Sequence, residues 1–153
     1  MAKFKYSMQN VLDLKQKMEE AAKMEFMEAT ARVNEEERKL DVLKEEKRVY
    51  EAEGHRLRSD EIHILDLKKN AEALSILQEK IEQQNERLKD ALEFQQQKRL
   101  QLQHAMQERK TQDKLYENAF EAFVHEENAK ESKEVDELVS YVYGQRTKEQ
   151  GES

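Results

Sequence analysis

Residues 67–92 read LKKNAEALSILQEKIEQQNERLKDAL, and within them Leu67, Leu74, Ile81 and Leu88 fall seven apart. The same register continues through Gln95, Leu102, Arg109, Tyr116 and Phe123, so seven of nine successive positions are apolar or aromatic. A second set, three or four residues on, holds Leu77, Ala91 or Leu92, Ala105 or Met106, and Ala119 or Phe120. Apolar residues at alternating steps of three and four, with charges between them, make a single stripe on a helix. A strict repeat of seven drifts around a straight helix. Keeping such a stripe against a neighbour therefore requires a left-handed supercoil with a second helix.

Upstream, a second seam supplies that neighbour. Ala22, Phe26, Ala29, Val33, Leu40, Leu43, Tyr50 and Leu57 follow the same alternation, with Glu36, Lys47 and Gly54 as polar or weak members. Phe4, Met8, Val11, Leu12 or Leu14, and Met18 extend it toward the start with a small phase slip. Between the seams lies EGHRLRSDE, residues 53–61. Gly54 is suited to a helix C-cap, Ser59 to an N-cap, and Asp60 and Glu61 to the first turn of a following helix, where the dipole favours negative charge. The spacing thus predicts one all-α domain over 1–153, a long antiparallel two-helix coiled-coil hairpin with a longer second helix. Helix 1 is expected over about 5–53, the turn over about 54–60, helix 2 over about 60–142, and a frayed tail over 144–153. The alternative is one unbroken helix in which Gly54 costs about 1 kcal/mol.

Composition supports a helical class. The 153 residues contain no Pro, Cys or Trp and only three Gly, at Gly54, Gly144 and Gly151. Folds built on turns need the positive φ of Gly and the preset bend of Pro, so sandwiches, barrels and doubly wound sheets are excluded. Charged residues make up 40% of the chain, and average usage would place about 25%. Residues 1–60 carry 13 basic and 14 acidic groups and residues 61–110 nine of each, a balance typical of solvated helix faces. Residues 111–153 carry five basic and eleven acidic groups, six of the seven net negative charges. No face gathers Lys and Arg as nucleic-acid binding requires. No apolar run is long enough to span a bilayer, and the opening MAKFKYSMQNVLDLK lacks the apolar core of a secretory signal, which points to a cytoplasmic protein.

Catalytic signatures are missing. The three glycines are scattered and form no phosphate loop. His125-Glu126-Glu127 begins like a zinc-peptidase helix, but Ala129 stands where the second His belongs. No cofactor, no metal and no enzymatic activity are expected. Folding about residue 57 would place Phe4 near residue 110, leaving the acidic segment beyond it without an internal mate. That segment still carries Tyr116, Phe120, Phe123, Val135, Leu138, Val139, Tyr141 and Val142, and exposed apolar residues at helical spacing imply an external partner.

Both ends of the chain carry a resemblance. Phe4-Lys5-Tyr6-Ser7-Met8-Gln9-Asn10-Val11-Leu12-Asp13-Leu14-Lys15 resembles the amino-terminal signature of the flagellar export protein FliJ family, and Glu131-Ser132-Lys133-Glu134-Val135-Asp136-Glu137-Leu138 resembles its distal Glu-x-Lys-x-x-Asp-Glu stretch. FliJ proteins are similar to the central-stalk γ subunit of rotary ATPases. The resemblance implies a non-enzymatic part in flagellar type III secretion, on the cytoplasmic face of the membrane at the flagellar base. The implied partners are the hexamer of the export ATPase FliI, the export-gate protein FlhA, the ATPase regulator FliH and substrate-specific export chaperones. No insertion into the membrane and no nucleic acid are implied, and the isolated chain is expected to be a monomer. Joined termini facing the ATPase ring would present Phe4, Met8, Val11, Phe120, Phe123, Asp136, Glu137, Leu138 and Tyr141. Leu43, Tyr50 and Leu77 match apolar or aromatic members of the family's gate patch, whereas Glu46, Lys80 and Gln84 stand where better-studied members have Tyr, Ala and His. The other readings are a generic coiled-coil scaffold and a prefoldin-like holdase.

Overall fold

The computed structural model describes residues 2–59, 61 and 63–151. Two helices account for almost all of them: α1, Gln9–Ser59, with 51 residues, and α2, Ile64–Gly151, with 88. They pair antiparallel, so the fold is the all-α hairpin with a longer second helix that the sevens require. Among the described residues there is no strand. The chain divides into two compact units, Met18–Ala105 and Met1–Lys17 with Met106–Ser153.

In Met18–Ala105 the predicted seams face each other. Ala29, Val33 and Leu40 of α1 are buried, as are Leu77, Ile81 and Ala91 of α2. Phe26, Leu43, Leu57, Leu74 and Leu88 are half-buried in the same rows. Where the sequence offered two adjacent candidates, the small one lies in the seam: Ala91 is buried while Leu92 is exposed. The strict alternation of three and four selects Ala91, because Leu92 is rotated about 100° away on the helix. The other unit resolves the first seam in the same way. Leu12 is 6% exposed and Leu14 is 54% exposed.

The outer faces are laced with short-range ion pairs. Glu35–Arg38, Glu45–Arg48 and Glu53–Arg56 are each three residues apart, with closest approaches of 2.6, 2.7 and 2.5 Å. Between helices, Lys98 Nζ meets Glu25 Oε2 at 3.1 Å, and Lys47 Nζ donates to Gln78 Oε1 at 2.9 Å.

The hinge lies later than the sequence suggested. Helix α1 does not end at 53. It runs through Gly54 to Ser59, and no described residue, Gly54 included, has positive φ. Ser59 is accordingly the last residue of α1 and not an N-cap; its hydroxyl donates to the His55 carbonyl at 2.8 Å, a bond that Ser makes readily inside a helix. Asp60 lies outside the described residues. Gly54 is glycine for a different reason. It is buried against α2, and a Cβ built there would meet Asn70 Oδ1 at 2.6 Å. Close approach of two helices, not a turn, is what this position needs.

Two further bounds differ. Helix α1 begins at Gln9 and not near 5, because residues 2–6 are irregular and Ser7 and Met8 form a turn. Helix α2 continues through Gly144 to Gly151, so no frayed tail begins at 144. Nothing lies within 4 Å of a Cβ built at Gly144, and there it costs only the roughly 1 kcal/mol of any helical glycine. The later hinge shifts the pairing: Phe4 packs against Tyr116, Phe120 and Phe123, well past residue 110.

Candidate functional site

The residues expected at the joined termini lie in the unit Met1–Lys17 with Met106–Ser153. The start of the chain is tied back by its own turn. Gln9 N–H donates to the Tyr6 carbonyl at 3.2 Å, and the Val11 and Leu12 N–H groups donate to the Met8 carbonyl at 3.0 and 3.1 Å. This geometry presents two aromatic rings to α2. Phe4 stands edge-on to Tyr116 and Phe120, with centroids 5.5 and 5.3 Å away, and tilted against Phe123 at 5.3 Å. Tyr6 stands edge-on to Tyr116 at 5.3 Å. Edge-to-face pairs set the positive ring edge on the negative face, and each adds about 0.5–1.5 kcal/mol beyond area burial. One turn further into α1, Lys15 Nζ meets Glu108 Oε2 at 2.8 Å.

Of the nine expected residues, Phe4, Phe120 and Phe123 therefore come together. Val11, on the first turn of α1, is half-buried, and Met8, in the turn just before it, is exposed. The other four lie farther along α2, in a run from residue 128 to 151 in which every residue is exposed. Glu137, Leu138 and Tyr141 share a face with Glu134 and line a shallow depression there; Asp136 lies off that face. Leu138 is 63% exposed and Tyr141 64%.

The expected gate residues are distributed differently. Tyr50 is 42% exposed and lines a shallow groove with Asn70, Asp66 and Lys69. Leu43 is half-buried and borders another with Lys80 and Gln84. Leu77 is 5% exposed, within the seam.

Three polar residues of the seam carry more than the sequence suggested. Asn70 Nδ2 donates to the Tyr50 carbonyl at 2.9 Å. Gln84 Nε2 donates to the Glu36 carbonyl at 3.0 Å and also to the Glu36 carboxylate. Gln95 Nε2 donates to Thr30 Oγ1 at 3.0 Å, and that hydroxyl donates to the Phe26 carbonyl at 3.0 Å. Asn70 and Gln84 are buried, and each stands three residues after a seven-spaced position, Leu67 and Ile81. Their place in the repeat was the available signal; that second row of α2 was sought among apolar types alone.

Clear shifts in acidity are found at the outer ion pairs. A hydrogen bond from Arg38 holds the Glu35 carboxyl below its ordinary value, and Arg48 and Arg56 do the same to Glu45 and Glu53. Among the described residues no group of His, Asp or Glu is placed to hold a metal ion, and no helix is long and apolar enough to cross a membrane. Paired seams, shallow grooves and exposed outer faces define a two-helix coiled coil. The family model described as the flagellar FliJ protein matches residues 4–148, and the chain belongs to that family. No curated protein and no solved structure matches it. The chain is thus a non-catalytic component of flagellar protein export.

Proposed function

We propose that this chain acts as a central-stalk-like element of the flagellar export ATPase. It binds within the FliI hexamer through its joined termini and promotes assembly and turnover of the ring. A second surface, around Leu43, Tyr50 and Leu77, contacts the gate protein FlhA, with FliH and substrate chaperones as further partners, at the cytoplasmic face of the membrane. The observation that supports this reading is the run of α2 over residues 128–151, exposed at every position and still carrying Val135, Leu138, Tyr141 and Val142. An apolar helix face left without a mate is the ordinary mark of a docking surface. Deleting residues 128–153 leaves the Phe4 cluster in place. The truncated chain is expected to lose stimulation of FliI ATPase activity while binding FlhA as before. Unchanged stimulation overturns the assignment.

A further inference from the structure

The exposed run of α2 contains two patterns that do not coincide. Continued in sevens, the row of Tyr116 and Phe123 that packs on Phe4 falls on Lys130, Glu137 and Gly144, none of them a large apolar residue. The aliphatic residues of the run are instead Val135, Leu138, Val139 and Val142, at steps of three, one and three on an adjoining face, and all are exposed. A stripe out of phase with the intramolecular seam is not its continuation but a separate seam.

On the side of this stripe Glu131 stands one turn before Val135 and Arg146 one turn after Val142, whereas Lys130, Lys133, Glu134 and Lys148 lie off that side. Neither Glu131 nor Arg146 makes an ion pair among the described residues. Two copies lying side by side in the same direction would set acid beside acid and base beside base. Reversed about a two-fold axis at Leu138 and Val139, they set Glu131 of each copy near Arg146 of the other and Val135 against Val142. An isologous contact requires such self-complementarity, and the stripe has it in both apolarity and charge.

We propose that residues 131–148 of α2 form a homodimer interface on which a second copy of this chain docks antiparallel. One face of residues 131–148 offers fewer residues than the roughly 20–30 a side of a stable complex, so the dimer dissociates on dilution and the expected monomer is the dilute form. Docking covers Leu138, which the ATPase assignment also uses. If that assignment holds, the dimer is a reserve form with its docking end masked, but the dimer itself does not depend on it.

Sedimentation of the full chain, without ATPase, from low micromolar to near-millimolar concentration is expected to show the mass rising from one chain toward two. Leu138→Ala with Val142→Ala, both exposed and neither a serious loss of helix propensity, should keep helicity by circular dichroism and weaken the dimer at least about tenfold. Arg146→Glu should do the same, as should Glu131→Lys. Mixing those two charge variants should restore a one-to-one pair, and added salt should weaken it. Because the chain has no cysteine, Val139→Cys offers a single thiol, expected to link two copies on oxidation where Glu137→Cys does not. A monomer at every concentration assigns the face to a different protein and overturns the proposal. A dimer indifferent to all these changes places the contact elsewhere and overturns it equally.

Discussion

Replacing Gly54 with alanine tests the reason given for that glycine. In an open helix interior the change stabilises by about 1 kcal/mol, since alanine is the better helix former. At this position the new Cβ would stand 2.6 Å from Asn70 Oδ1, closer than such contacts occur. Helix α1 has no room to twist away without disturbing the seam, so the Asn70 amide must turn. It then loses the 2.9 Å bond to the Tyr50 carbonyl. A buried amide left unsatisfied costs about 1–3 kcal/mol. The net for Gly54→Ala is thus a loss of roughly 0–2 kcal/mol, where propensity alone gives a gain of about 1. In an Asn70→Ala background the obstruction is absent and the same substitution should recover the full gain. Urea unfolding followed by helical circular dichroism, run on both singles and the double, closes a cycle whose coupling should be about 1–3 kcal/mol. If Gly54→Ala stabilises alone by about 1 kcal/mol and the coupling vanishes, Asn70 does not hold that space and the argument fails.

Two further outcomes follow from the seam and from the outer ion pairs. Leu12→Ala should destabilise the chain by about 2–5 kcal/mol as a buried truncation, whereas Leu14→Ala, two residues on and exposed, should lie within about 0.5; equal effects in thermal melts would place the seam elsewhere. For Glu35, Glu45 and Glu53 the folded carboxyl titrates below its unfolded value because an Arg three residues on bonds it. Their support for α1 is therefore complete above the ordinary carboxylate range and fades as pH falls through the lowered folded values. Arg38→Gln should move the Glu35 titration, followed by its side-chain carboxyl resonance, up toward the ordinary carboxylate value, and an unmoved resonance would remove the bond as its cause.

The paired helices were legible because burial enforces periodicity. Leu74, Ile81 and Leu88 could be placed on one face from spacing alone, and the face is where they lie. The hinge was not legible, because glycine marks two different needs with one letter. A C-cap asks for positive φ and a close crossing asks for a missing Cβ, and only the position of Asn70 on the other helix separates them. The last turns of α2 were misjudged for a related reason. Residues 144–151 stay helical without a neighbour, and their side-chain bonds at steps of four, such as Gln145 Nε2 to the Tyr141 hydroxyl at 2.8 Å, are local support that a search for seam residues passes over. Among the candidate site residues, the pairing of Phe4 with Phe120 and Phe123 needed the true register. The exposure of Leu138 and Tyr141 followed from their lying past it.

The amides of Asn70, Gln84 and Gln95 also decide how this pair of helices responds to force. An all-aliphatic seam looks the same after a slip of one heptad, so a pull along it can be relieved by sliding. Here Gln84 reaches the Glu36 carboxylate and Gln95 the Thr30 hydroxyl, and a slip of one heptad replaces those partners with Ala29 or Leu43 and with Lys23 or Glu37. A slip of one heptad would also bring Lys47 to the place of Gly54, where the gap that admits Asn70 would be gone. Within Met18–Ala105 the helices are riveted against shear, and a load applied to one is carried by both.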